Sequence, residues 1–277
     1  MHETKGETMI DLGLTNKRAI VVGAGHRPPR PGIGRATALL LAEGGARVAC
    51  VDLDHERAAT VAGEIRAAGG EAMVVTGDVR LGDEVDRIVG EVASAFGGID
   101  ICIDVVGEAT WGRIPDFGED AWDWAVETNL KQVFLVLQSA ARQMRSQGTG
   151  GALAAVASVD GIMGSPAHIA YGCAKAGVVH LVKTLSEELG PHNIRANAVA
   201  PGKVFVPTEE HPEPGPGVDV TTPLRQPWAL DIARALVFFC SDLAGAVSGQ
   251  TLAVDGGASV KGVWDFPPEM ISALMAR

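Results

Sequence analysis

RAIVVGAG (residues 18–25), a break of HRPPRP (26–31), GIGRATALLLAE (32–43) and RVACVD (47–52) set strand, glycine turn, apolar helix and second strand in succession. A strand buried on both faces reads as an unbroken apolar run, and a second one after a helix marks a parallel crossover. Glycines at the first turn let the backbone approach a ligand closely. The helix N-terminus beyond them offers unpaired N–H groups and a partial positive charge, which suits a pyrophosphate. In a chain with 35 glycines, the same residues also suit a plain turn.

Asp52 ends the second strand. A carboxylate there can accept hydrogen bonds from both hydroxyls of an adenosine ribose. It would also repel a 2′-phosphate, so NAD is favoured over NADP. Arg27 and Arg30 lie in the break. Their guanidinium groups could accommodate that phosphate, clamp the pyrophosphate or stay solvated. NADP is therefore not excluded.

The same rhythm continues, with strands expected at 72–75, 99–105, 152–157, 195–200 and 251–254 and helices at 55–68, 82–96, 120–146, 168–189 and 229–241. The expectation is an α/β fold: one Rossmann domain over residues 1–277, with a doubly wound parallel seven-stranded sheet and helices on both faces. Two segments break the pattern, the insertion at 26–31 and a Pro-rich stretch at 203–227, expected to form a substrate lid. A tail at 258–277 carries Trp264 and Phe266, suited to docking on the parent domain or across a subunit interface.

The formal charge of -11 argues against a nucleic-acid partner, which needs clustered Lys and Arg. No apolar run suggests a signal peptide or a membrane span, so a cytoplasmic location is expected. Cys50, Cys102, Cys173 and Cys240 stand singly among small or apolar neighbours. They are expected to be buried thiols, with no metal site.

Tyr171 is the single tyrosine, and Lys175 follows it by one helical turn. A lysine ammonium beside a phenol favours the phenolate and brings its proton exchange toward neutral pH. An ordinary helical Tyr and Lys would look the same.

Together these residues resemble the short-chain dehydrogenase/reductase family over about 17–257. Its first turn, T-G-x-x-x-G-x-G, is matched by Gly23, Gly32 and Gly34 with five extra residues between them. Asp78-Val79 matches its adenine-contacting pair, and Asn129 its catalytic Asn. Ser158 precedes Tyr171 by thirteen residues, the family's Ser-to-Tyr offset. Pro201-Gly202 matches the turn beside the nicotinamide, and Val254-Asp255-Gly256-Gly257 the last-strand signature.

The resemblance implies hydride transfer between NAD(H) and a secondary alcohol or ketone. Tyr171 is then the general acid/base, with its pKa lowered by Lys175 and the cationic nicotinamide. Lys175 also holds the nicotinamide ribose, Ser158 donates to the substrate oxygen, and Asn129 fixes a relay water. Ile33, Val105, Gly107 and Val204 join the residues already named at the cofactor.

Two departures stand out: Val22 replaces the family Thr, and Asp104-Val105-Val106-Gly107 replaces Asn-Asn-Ala-Gly. Loss of both polar partners together is nearly neutral, so Val22 and Val105 read as a matched apolar replacement. Small residues at 172–174, 176 and 177 suit close packing of the Tyr171 helix. Asp160, Met163 and His168 could line a substrate pocket, although His168 also suits a plain helix start. Family members commonly form tetramers through the two helices at 120–146 and 168–189, which implies a homotetramer or homodimer. Val133, Leu137, Val178 and Leu185 would serve either that interface or the core. The competing readings are an NADPH-dependent 3-oxoacyl reductase and a non-catalytic nucleotide-binding scaffold.

Overall fold

The computed structural model describes residues 11–28, 32–207, 222–260 and 275. Strands β1 (Arg18–Val22), β2 (Arg47–Asp52), β3 (Ala72–Thr76), β4 (Ile101–Asp104), β5 (Gly151–Val156), β6 (Ile194–Pro201) and β7 (Thr251–Val254) form one sheet in the order β3-β2-β1-β4-β5-β6-β7. Every pairing is parallel. The order reverses between β1 and β4, and at such a point connecting segments leave in opposite directions and open a crevice at the strand ends.

Around the sheet lie α1 (Ile33–Glu43), α2 (His55–Ala67), α3 (Gly82–Phe96), α4 (Glu119–Val126), α5 (Gln132–Gln147), α6 (Ile169–Leu189) and α7 (Ala229–Cys240). Helices α3, α5 and α6 bury their apolar faces on one side of the sheet. Helices α1, α2 and α7 cover the other. In α3, Val85, Ile88, Val89, Val92 and Phe96 recur at helical spacing and are buried. Asp83 and Glu84 complement its positive end, and Gly97, at φ 79°, ends it in the left-handed region. Asp54 caps α2 by accepting from the backbone N–H groups of Glu56 and Arg57.

The sheet therefore matches the expected doubly wound architecture, with local corrections. The single helix expected at 120–146 is interrupted by a π-helical turn, Glu127–Lys131, between α4 and α5. The strand expected at 99–105 is shorter, because the Ile99 peptide is taken by the Gln147 side chain, which accepts from its N–H and donates to its carbonyl. Cys50, Cys102 and Cys240 are buried, and burial pushes the Cys50 and Cys240 thiols up to about 12. Cys173 is exposed, contrary to expectation, on the outer side of α6. Val133, Leu137 and Val178 belong to the core and Leu185 packs against it, so core packing accounts for these residues. Arg30, most of the 203–227 segment and most of the tail, including Trp264 and Phe266, lie outside the described residues. Among those described, no helix is long and apolar enough to cross a membrane, and no cluster of His, Cys, Asp or Glu could hold a metal.

Candidate active site

A cavity of about 400 Å³ opens at the C-terminal ends of β1 to β4. Gly23, Gly32, Ile33, Gly34, Asp52, Asp78, Val79, Val105 and Gly107 all line it. Gly23 and Gly32 adopt the left-handed φ values of 78° and 69° that glycine permits. Asp52 accepts from the N–H of Gly25 at 2.9 Å and that of Asp54 at 3.0 Å, which fixes its carboxylate at the cavity wall. Arg27 and Arg57 stand at the same wall. Asp78 is gripped by both ends of the Arg80 guanidinium, and that hydrogen bonding lowers its pKa against the opposing effect of burial. Arg80, Arg57, Trp124 and Thr128 are cavity residues that sequence reasoning missed, since none belongs to a turn or strand-end motif.

Gly107 joins this cavity to a second group of side chains. A Cβ there would stand 2.9 Å from Lys175 Nζ and 3.0 Å from Asn129 Oδ1. Asn129 lies on the π turn, fully buried. Its Oδ1 accepts from the N–H of Glu108, and its Nδ2 donates to the carbonyls of Glu108 and Ala125, at 2.9–3.0 Å. A π turn inside a helix often marks a functional site.

Ser158 leaves β5 and is buried. Its Oγ accepts from the N–H of Asp160 at 3.1 Å, and its hydroxyl is close enough to Tyr171 to favour the phenolate. Tyr171 and Lys175 lie one turn apart near the start of α6. The turn after Ser158 rests directly on that helix: a Cβ at Gly161 would meet the Lys175 backbone at 2.6 Å. Gly172 lets α6 approach Asp160, and Gly177 lets it approach Leu130, as the run of small residues suggested.

The expected charge relation between Tyr171 and Lys175 needs correction. Burial raises the Tyr171 pKa, the Ser158 hydroxyl opposes this, and the Asp160 charge adds to the rise. Lys175 Nζ lies 5.7 Å from the Tyr171 ring centroid and donates to the Val156 carbonyl at 2.8 Å. Its own pKa is lowered to about 8 by burial, against the attraction of Asp104. Asp104, at the end of β4, is raised to about 6 by burial, opposed by the Val106 N–H and by Lys175. Its Oδ1 accepts from Val106 at 2.9 Å, while Oδ2 is buried without a partner. The departure from the family Asn at position 104 was visible in the sequence, but its charge coupling to Lys175 was not.

Pro201 ends β6, and the N–H of Gly202 donates to the Val254 carbonyl at 3.1 Å, which ties this turn to β7. Val204 packs against the core on the side of α7. Tyr171, Lys175, Pro201, Gly202 and Val204 are not walls of the 400 Å³ cavity; they stand beyond β4 along the strand ends. Asp160 and His168 meet above Ser158, with His168 Nδ1 2.6 Å from Asp160 Oδ2.

Residues 29–259 match the family model described as Enoyl-(Acyl carrier protein) reductase. Over 256 residues the chain is 36% identical to the 3-oxoacyl-[acyl-carrier-protein] reductase FabG of Staphylococcus epidermidis, covering 87% of this chain and 98% of that protein. An acetoin dehydrogenase from Enterobacter cloacae superposes with a TM-score of 0.83 at 30% identity, over 92% of this chain and 99% of that one. A short-chain type dehydrogenase/reductase from Mycobacterium marinum gives 0.81 at 30% identity, over 91% and 98%. With the family model matched over most of the chain and relatives of this likeness, the chain belongs to the short-chain dehydrogenase/reductase family.

Proposed function

We propose that this oxidoreductase transfers a hydride between NAD(H) and a secondary alcohol or ketone, with Asn129, Ser158, Tyr171 and Lys175 as its proton relay. The observation that carries this is the placement of buried Ser158 on the turn that rests against α6, beside Tyr171, with buried Lys175 one turn further along that helix and Gly107 linking Lys175 to the cavity. The glycine cradle and the fixed Asp52 carboxylate fit an adenine dinucleotide. Gly23, Gly32, Ile33 and Gly34 would hold its pyrophosphate, Asp52 the adenosine ribose, and Asp78 and Val79 the adenine. Val105, Gly107, Pro201, Gly202 and Val204 would flank the nicotinamide half. When bound, the nicotinamide supplies the two-electron acceptor or donor.

The chain's own groups handle the proton. The N–H of Asp160 occupies an acceptor site of Ser158 Oγ, so the hydroxyl proton of Ser158 is left for Tyr171 or a substrate oxygen. Tyr171 takes the alcohol proton on oxidation and returns it on reduction. Lys175 spends one of its three N–H bonds on Val156, which leaves two for ribose hydroxyls and the relay. Both Nδ2 hydrogens of Asn129 are used, and the second lone pair of Oδ1 is the place for a relay water.

Asp52 favours NAD by repelling a 2′-phosphate. A second reading, an NADPH-dependent ketoreductase of the 3-oxoacyl class, is favoured by Arg27 and Arg57 at the cavity wall and by the likeness to the staphylococcal reductase. Titration of NADH and NADPH by fluorescence separates the two: NAD use requires NADH to bind at least about tenfold more tightly. A panel of secondary alcohols followed at the NADH absorbance tests turnover, and a chain that binds cofactor but oxidises or reduces nothing would be a scaffold. We also propose a cytoplasmic homodimer or homotetramer with no nucleic-acid or membrane partner. The exposed rings of Trp122 and Phe134 on α4 and α5 support a subunit contact.

A further inference from the structure

Asp160 and His168 touch the relay without belonging to it. The turn after Ser158 brings Asp160 Oδ2 to 2.6 Å from His168 Nδ1, with both side chains largely buried at 17% and 11% exposure. A carboxylate only accepts, so the hydrogen of the neutral ring sits on Nδ1 and Nε2 is left as an acceptor. Nε2 is buried and has no partner. The ring stands 5.7 Å from that of Tyr171 and 3.6 Å from that of Trp111, which is itself 72% exposed.

A buried acceptor without a partner weakens the fold, and a native chain that keeps one calls for a physical reason. Helix capping is not that reason, because His168 stands at the N-cap of α6 yet makes no side-chain cap hydrogen bond. Packing alone would be met by an apolar ring. The position beside Tyr171 and Ser158 supplies a better account.

We propose that Asp160 and His168 form a recognition dyad for a second hydroxyl on the substrate, so that the preferred substrates are vicinal diols and the matching α-hydroxyketones. Asp160 locks the tautomer, and His168 Nε2 accepts from the hydroxyl next to the reacting carbon. The edge contact between the His168 and Tyr171 rings suits oxygens on adjacent carbons better than distant ones. The carboxylate disfavours an anionic group at the same place, so a neutral hydroxyl is the partner rather than a phosphate or carboxylate. This assignment rests on the hydride-transfer reading of Tyr171.

Matched pairs test it: 2-butanol against 2,3-butanediol, and cyclohexanol against trans-1,2-cyclohexanediol. For each pair kcat/KM is measured for the wild type, His168→Leu, His168→Gln and Asp160→Asn. Binding of the same pairs to the NAD-saturated Tyr171→Phe protein is followed by tryptophan fluorescence, with and without His168→Leu. The wild type should prefer each diol by about 10- to 100-fold, the range of one recognised hydroxyl. In His168→Leu the preference should collapse toward one, whatever fall both substrates share, while His168→Gln keeps part of it and Asp160→Asn lowers it. Turnover without a diol preference, or a preference that His168→Leu leaves intact, overturns the dyad and leaves the hydride-transfer reading standing. A diol preference in binding that His168→Leu abolishes, with no turnover of any alcohol, supports the dyad and counts against that reading. Absence of both overturns both.

Discussion

Gly34, in the first turn of α1, lies directly against Gly23 at the end of β1: a Cβ at position 34 would overlap the Gly23 carbonyl oxygen and stand 2.8 Å from its carbonyl carbon. The obstacle is backbone, so no side chain can swing aside. Gly34→Ala should push α1 off the sheet, lower stability by about 1–3 kcal/mol and weaken NADH binding more than about tenfold. Urea unfolding and a fluorescence titration measure the two effects. Unchanged binding would show that the close approach is not needed for the cofactor.

Tyr171→Phe keeps the ring and removes the hydroxyl. The variant should fold and bind NADH as the wild type does, with kcat reduced by about 10²- to 10⁴-fold, the range expected for loss of a general acid/base. Retention of near-normal turnover in stopped-flow or steady-state assays would remove Tyr171 from the mechanism.

Asp104 makes stability depend on pH in a direction opposite to a salt-bridged carboxylate. Its folded pKa of about 6 lies above the ordinary 3.8, so between those values the folded chain keeps a proton that the unfolded chain releases. Its contribution is fullest below 3.8 and falls as the pH rises toward 6. Lys175 acts in its own window: between about 8 and 10.5 the unfolded chain holds the extra proton, so stability recovers as the pH rises. Asp104→Asn should therefore gain on the wild type in melting temperature between pH 4 and pH 6. A difference that stays constant over that range would contradict the raised pKa.

The ends of β1 and β4 are tied by backbone, with the Val105 N–H donating to the Val22 carbonyl at 3.0 Å, and Val22 is buried. An asparagine at 105 would bring an amide to a place with no threonine to meet it. Val105→Asn alone should cost about 1–3 kcal/mol, and Val22→Thr with Val105→Asn should recover much of it. Thermal melts of the two single variants and the double complete the cycle. A stabilised Val105→Asn single variant would defeat the matched-pair idea.

Much of the architecture was legible in the sequence because it depends on local rules. The apolar run of β1, the periodic apolar face and terminal Gly97 of α3, and the glycines around α1 act over a few residues, and the strands and helices formed where those signals lay. The Tyr171 and Lys175 pair was legible for the same reason, one helical turn apart on α6, whereas Ser158 was legible only through the family resemblance, because the end of β5 places it. The π turn was not, since Glu127–Lys131 contains neither Gly nor Pro, and its bulge coincides with bonds from Asn129 to the distant Glu108 peptide.

What the amino-acid order settled alone was the succession of buried strands and amphipathic helices, and with it the sheet and the placing of the glycine turn and Asp52. What needed the folded chain was every property that depends on desolvation or on partners far apart in sequence. Tyr171 is raised rather than lowered, because burial and Asp160 act on it while Lys175 turns to Val156. Asp104 and Lys175, from β4 and α6, perturb each other because low-dielectric surroundings strengthen the attraction between buried charges brought to the same face of the sheet. Asn129 is likewise fixed by the Glu108 peptide, 21 residues away, since hydrogen bonds form between neighbours in space.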